Sequence, residues 1–597
     1  MNENSPIIEE AAELAADSGV SRRKFFGHLG KSAIGAAAVT ALGGAPFAGG
    51  IGSAVRASKG NDHGNSPSRQ RMNDCFDYRR DMVSGEKIDV GIQRDNGDAA
   101  RFTDFSGNYS KALLHNSLGV PNAAAYLSLK HALTTGERTD FANIIVGTPG
   151  GNGNSRLNGP QVALAFDLEG VDSHATVIPA APSVASAQTA AEAVEHYWGA
   201  LLVDVPFREY GSNPLAQSAI ADLNNMSFFR SSANNQAAYP VTAQNLFRGF
   251  FYSGDGNAKG PYVSQFMVQP TYLGTQEITQ RHLTFLPENA GGRSYMTNVG
   301  EYQIVANGGD SGLPIGFDPT ARYLRAGRDL ASYTRLDVLY QGYFTAFLVL
   351  AGLGAQPNPG NPYIGSRTEK AFCTLGVPDA AGTIAEMATR ALKASWFHKW
   401  IKDNRLRPEE YGALVQARMG GGVPMPQAAA QLHSDVLNSD GVARTFSKYG
   451  TYLVPQAFPE GSPTHPCYPT GHGTVGGACI TALKFFFNGE QKMAPMLAAS
   501  GRNLLEPNAA GTALEVYNGA DAAGIDINGE LNKLAYNITF AHGVHAGIHF
   551  RSSSYWSILL GEQVALSILR DRARSYNEPF TISIKKFDGT TATISNQ

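Results

Sequence analysis

HPCYPTGHGTVGGACITALKFFFNG (465–489) joins a proline-rich turn to a run of small and apolar residues. Pro469-Thr470-Gly471-His472 reads as a helix start, with Thr470 in the capping position and free backbone N–H groups at Gly471 and His472. Val475, Ala478, Cys479, Leu483 and Phe486 then recur at helical steps, and Gly489 stands near the stop. Unpaired N–H donors and the positive end of the helix dipole make such a start a natural oxyanion site. His465 and His472 flank it.

Three further stretches carry helical patterning. DVLYQGYFTAFLVLAGLG (337–354) is apolar almost throughout and reads as a buried helix. AGTIAEMATRALKASWFHKWIKDNR (381–405) repeats apolar residues at three- and four-residue steps, so it reads as an amphipathic one. SSSYWSILLGEQVALSILRDRARS (552–575) ends in arginines that suit a helix C-terminus. Alternating β patterns are scarce, apart from FTISIKKFDGTTATIS (580–595), which reads as a small hairpin. Residues 58 to about 110 read as irregular, and Gly/Pro/Asn-rich loops such as 148–160 and 353–366 separate the helices. The chain is therefore expected to be mainly helical.

At 597 residues and 43% hydrophobic content the chain can bury a large core. A net charge of -3 argues against nucleic-acid binding, which favours a basic excess. Near the N-terminus, SRRKFFGHLG (21–30) precedes a mildly apolar stretch and AVRAS (54–58), the pattern of a twin-arginine export signal. Residues 1–57 are read as that signal and the mature protein as exported, periplasmic or extracellular. The stretch 33–50 is too rich in Gly and Ala for a stable membrane span. Cys75, Cys373, Cys467 and Cys479 form neither a disulfide framework nor a metal-type spacing, although an exported location permits one bridge.

Three segments carry the candidate chemistry. KWIKDNRLRPEEYG (399–412) supplies Lys399, Lys402, Arg405 and Arg407; the opening stretch supplies His465, Thr470, Gly471 and His472; AHGVHAGIHFRSS (541–553) supplies His542, His545 and His549. Lys-x7-Arg-Pro, then Pro-Thr-Gly-His, then Gly-Ile-His-Phe-Arg resembles, in this order, the vanadium-dependent haloperoxidases and the related acid and lipid phosphatases. The bromoperoxidases of the algal type are the nearest in pattern, and 247–266 and 327–340 look like scaffold segments of that group. The likeness runs from about residue 100 to 575.

The resemblance implies two four-helix bundles with long loops, divided here into an N-terminal helical region, 58–340, and a C-terminal bundle, 341–597, carrying the site. It implies orthovanadate as cofactor, His549 as the metal ligand, and Lys399, Arg407, Thr470, Gly471 and His472 as donors to the oxygens. His472, Lys399 and His465 would be catalytic, His472 as acid–base, with His465 and His398 near the pocket mouth. Partners would be hydrogen peroxide, a halide and an organic acceptor if there is one, within a homo-oligomer. The phosphatase alternative would have His549 attack phosphate while His472 protonates the leaving group.

Three positions depart from that pattern. Thr470 replaces the usual Ser. Ser553 stands where an Asp partner to the ligand histidine is expected. Gly543 stands where the pattern carries an oxyanion-binding Arg, a loss worth roughly 1.5–3 kcal/mol. His542 is the neighbour placed to compensate. A scaffold that has lost oxidation, or three imidazoles at i, i+3, i+7 on one helix face holding a divalent metal, are the remaining readings.

Overall fold

The structure, a computed structural model, describes residues 67–85, 95–116, 120–148, 156–231, 239–249, 251–252, 254–421 and 425–597. The export segment 1–57 lies outside them. Contacts divide the chain into Met1–Arg80 and Asp81–Gln597. In the first unit the described residues are helical, within Pro67–Gly85, where an irregular stretch was expected. The candidate residues all belong to the second unit.

Nine of the described helices position the site: α1 (Ala187–Leu201), α2 (Gly327–Leu336), α3 (Gln341–Gly352), α4 (Val377–Phe397), α5 (Pro408–Gly420), α6 (Asp440–Tyr449), α7 (Gly471–Phe486), α8 (Ile527–Tyr536) and α9 (Arg551–Ala573). Helices α4, α7 and α9 pack on one another, with α3 and α8 against α7. A second group, including α5 and α6, gathers around α1. The fold is mainly α-helical, as the sequence predicts. Strands among the described residues form only two-stranded antiparallel sheets. One is the expected hairpin, Thr581–Lys585 with Thr591–Ser595; Thr271–Leu273 with Gln276–Ile278 and Leu505–Pro507 with Leu514–Val516 were not anticipated. No described helix is long and apolar enough to cross a membrane.

The centre of the bundle is α7. Fifteen of its sixteen residues are buried, all but His472, so it is a core helix on every side and not the one-sided helix its spacing suggested. Small residues make this possible. A Cβ on Gly477 would stand 2.0 Å from the Ile558 carbonyl oxygen, and one on Gly561 2.0 Å from that of Thr474, so α7 and α9 touch backbone to backbone.

Two helices change pitch beside the candidate residues. After Phe397, α4 runs into a π turn, His398–Asp403, which Asn404 ends in the left-handed region at φ 43°. Helix α8 runs into a second, Asn537–Ala541, before the short helix His542–His545. A π turn takes one extra residue and so rotates the succeeding residues by about 100° relative to a regular helix. Periodicity read from the sequence does not foresee either.

Candidate active site

Lys399, in the first π turn, is fully buried, and its Nζ donates to the Pro466 carbonyl at 2.7 Å. Burial, and then the neighbouring Arg407 charge, hold its ammonium well below the ordinary lysine value. Arg407, at the start of α5, is equally buried. Its Nε donates to the His465 carbonyl at 2.8 Å and its Nη1 to the Ile548 carbonyl at 2.9 Å. Nη2 donates to His465 Nδ1 at 2.8 Å, and Nη1 lies 3.1 Å from His549 Nε2. Among the described residues neither cation has a carboxylate in ion-pair range of its side chain. A buried charge without a counter-charge is costly, so this pair asks for an anion.

His549 has the form of a ligand. Its Nδ1 lies 3.0 Å from the Cys467 carbonyl oxygen, which only accepts, so Nδ1 carries the proton and Nε2 keeps its lone pair. Burial first, then the charges of Arg407 and Lys399, push its pKa well below the usual histidine value and keep the ring neutral. The backbone carbonyl thus does what the absent Asp was expected to do. Ser553 instead accepts from Arg405 Nη1 at 3.3 Å, and Arg405 pairs with Glu192 of α1 at 3.2 Å. Cys467, a buried free thiol, lines the same spot with Sγ 3.4 Å from His549 Nδ1.

Thr470 occupies the N-cap of α7 but its side chain makes no cap bond; its Oγ1 is buried without a partner. Capping, the role its position suggested, is therefore left undone, and the hydroxyl remains available with the α7 N–H groups. His472 Nε2 lies 2.9 Å from Asp337 Oδ1, a buried carboxylate just past α2. Sequence reasoning missed Asp337 and also Thr334, which contacts His542 Nδ1.

Three expectations need correction. His398 is not at a pocket mouth: it is buried with Nε2 3.0 Å from Thr176 Oγ1, because the π turn carries it away from Lys399's side. His465 is likewise interior, 6% exposed, its ring tilted against Trp396 at 4.8 Å between centroids and bonded to Arg407. His542, His545 and His549 do not share a helix face. The short helix ends at His545, Gly547 turns the chain at φ 75°, and both ring nitrogens of His545 are taken, by the Gly199 carbonyl and the Tyr210 hydroxyl. Among the described residues no group of three His, Cys, Asp or Glu is placed to hold a metal ion. Arg551 is paired with Glu195 at the side of α1 and takes no part in the cluster.

A neutral imidazole whose Nε2 faces Arg407, two buried cations and an unused hydroxyl at a helix N-terminus are gathered in one place in a helical bundle. No family model matches the chain. It is 30% identical over 542 residues to the vanadium-dependent bromoperoxidase of Ascophyllum nodosum, covering 88% of this chain and 92% of the relative. It is also 30% identical over 575 residues to that of Corallina officinalis, covering 84% and 92%. The homohexameric second vanadate-dependent bromoperoxidase of Ascophyllum nodosum superposes with a TM-score of 0.78 at 26% identity, covering 89% of this chain and 92% of the other. The chain belongs to the vanadium-dependent bromoperoxidase family.

Proposed function

We propose that this protein is a vanadate-dependent haloperoxidase that oxidises bromide or iodide with hydrogen peroxide. The overall change takes one halide, one peroxide and one proton to hypohalous acid and water. The observation that carries this reading is the pair of fully buried cations, Lys399 and Arg407, the latter against the Nε2 of His549, with no carboxylate among the described residues in ion-pair range of either.

The residues fit vanadate. His549 Nε2 would take the vanadium, since neutral imidazole suits such a centre. Lys399, Arg407, Thr470 Oγ1 and the Gly471 N–H would hold the oxygens, the cations through charge-assisted bonds and Arg407 through its fork. Vanadate, when bound, supplies a Lewis-acid centre that makes peroxide electrophilic without itself changing oxidation state. His472 is the one residue of α7 that is not buried, so it exchanges protons with solvent while Asp337 holds its ring. Thr470 and the α7 N-terminus place neutral donors where added negative charge would collect.

Assembly as a homo-oligomer is part of the proposal, supported by the homohexameric relative. Export is supported by Arg22 and Arg23. The test is bromide oxidation by the mature protein with and without orthovanadate. Activity that depends on vanadate supports the reading; none at saturating orthovanadate, with phosphate esters turned over instead, overturns it.

A further inference from the structure

His542 is buried, yet one of its ring nitrogens has nothing to bond. Nδ1 meets the Thr334 hydroxyl, which fixes the ring, while Nε2 is enclosed without a partner. Buried polar atoms are nearly always paired, and one left bare costs about 1–3 kcal/mol. His545, three residues on, has both of its nitrogens satisfied, whereas His196 and His282 also keep an Nε2 without a partner. What sets His542 apart is where it stands.

Its surroundings say what is missing. The ring centroid lies 5.4 Å from that of His472, and the charge of Arg407 reaches it. Thr470 Oγ1, another buried atom without a partner, sits two residues before His472. His542 Nε2 and Thr470 Oγ1, near the buried cations, share one remedy, a ligand with several acceptor oxygens. Thr334 lets Nε2 serve it. The hydroxyl has one proton, held at the Leu330 carbonyl at 2.9 Å or turned to Nδ1, and in the second setting Nε2 carries the ring proton and donates.

Gly543 itself supplies no donor. A Cβ there would meet His549 Cβ at 3.1 Å and the His549 carbonyl oxygen at 3.3 Å, so a side chain at 543 presses on the ligand histidine. The π turn Asn537–Ala541 immediately precedes and sets the phase at which 542 points.

We infer that His542 is a further ligand-binding residue whose Nε2 donates to an oxygen of the tetrahedral oxyanion held by Lys399, Arg407 and Thr470, with Thr334 as its positioning residue. This rests on the proposal that the site binds an oxyanion. The experiment is calorimetric titration of the mature chain with orthovanadate and, separately, with inorganic phosphate. The variants are His542→Asn, which keeps a polar atom near Nδ1 and loses Nε2, His542→Gln, whose amide nitrogen reaches toward the Nε2 position, and Thr334→Val. His542→Asn is expected to weaken orthovanadate binding about tenfold or more, His542→Gln to recover most of that, and Thr334→Val to lose about two- to fivefold. Circular dichroism and melting establish that each variant is folded. Wild-type affinity in folded His542→Asn overturns the assignment of His542 alone, and if that variant does not fold, wild-type affinity in Thr334→Val does so. Failure of the wild type to bind either anion overturns the oxyanion reading and the inference together.

Discussion

Asp337 Oδ1 lies 2.9 Å from His472 Nε2, and the second oxygen of that carboxylate is buried with no other partner. A carboxylate so placed fixes the imidazole's orientation for proton transfer.

Asp337→Asn keeps the shape and removes the charge. Halide oxidation is expected to lose about 10- to 100-fold in kcat with a smaller change in KM. An unchanged kcat would show that Asp337 only packs.

Lys399→Met replaces a buried ammonium by an apolar chain of similar length. Orthovanadate affinity is expected to drop about ten- to a hundredfold. The ligand-free variant should melt no lower than the wild type, because a buried charge without a counter-ion is removed. Titration calorimetry and a melting curve check the two halves separately.

His398 isolates the acid sensitivity of the core. Burial, and then Lys402, lower its pKa to about 3. The folded value lies below the unfolded one, so the unfolded chain binds the extra proton and stability is lost as pH falls from 6.5 toward 3. Each unit in that window costs about 1.4 kcal/mol for one such group. His398→Gln should therefore gain about 2 kcal/mol on the wild type between pH 6.5 and 5, read from urea unfolding at the two pH values.

Gly561→Ala tests the contact between α7 and α9. Its Cβ would lie 2.0 Å from the Thr474 carbonyl oxygen and 2.7 Å from the Ala478 nitrogen, both backbone atoms that cannot swing aside. A destabilisation of about 3 kcal/mol or more is expected, at the upper end of overpacking costs. Unchanged denaturant midpoints would mean that the helices slide apart freely.

Much of the site was legible because its parts are local. Lys399 to Arg407, His465 to His472 and His542 to His549 are short segments whose residue types and order carry their own chemistry. Asp337 and Thr334 carried no such mark. They lie 135 and 208 residues from their partners, and nothing in GRDLASYTRLDVLY singles them out. The three-histidine face failed because spacing assumes a continuous helix, and Gly547 breaks it. Placing His398 at the mouth failed because a π turn shifts phase without changing composition. Helix α4 starts four residues before the predicted 381, at Val377, where Pro378 and Asp379 in the first turn are themselves helix-start residues.

The oxygen that sets the tautomer of His549 belongs to the peptide link of Cys467, not to any side chain. Exchanging residue 467 for another leaves that oxygen in the chain, so the usual route by which point mutation erodes a ligand's support is closed here. What inheritance can alter is the path of the backbone that delivers it. The freedom at Ser553 has the same origin: once the main chain has taken over the contact, the side chain four residues past His549 is released to serve Arg405 instead.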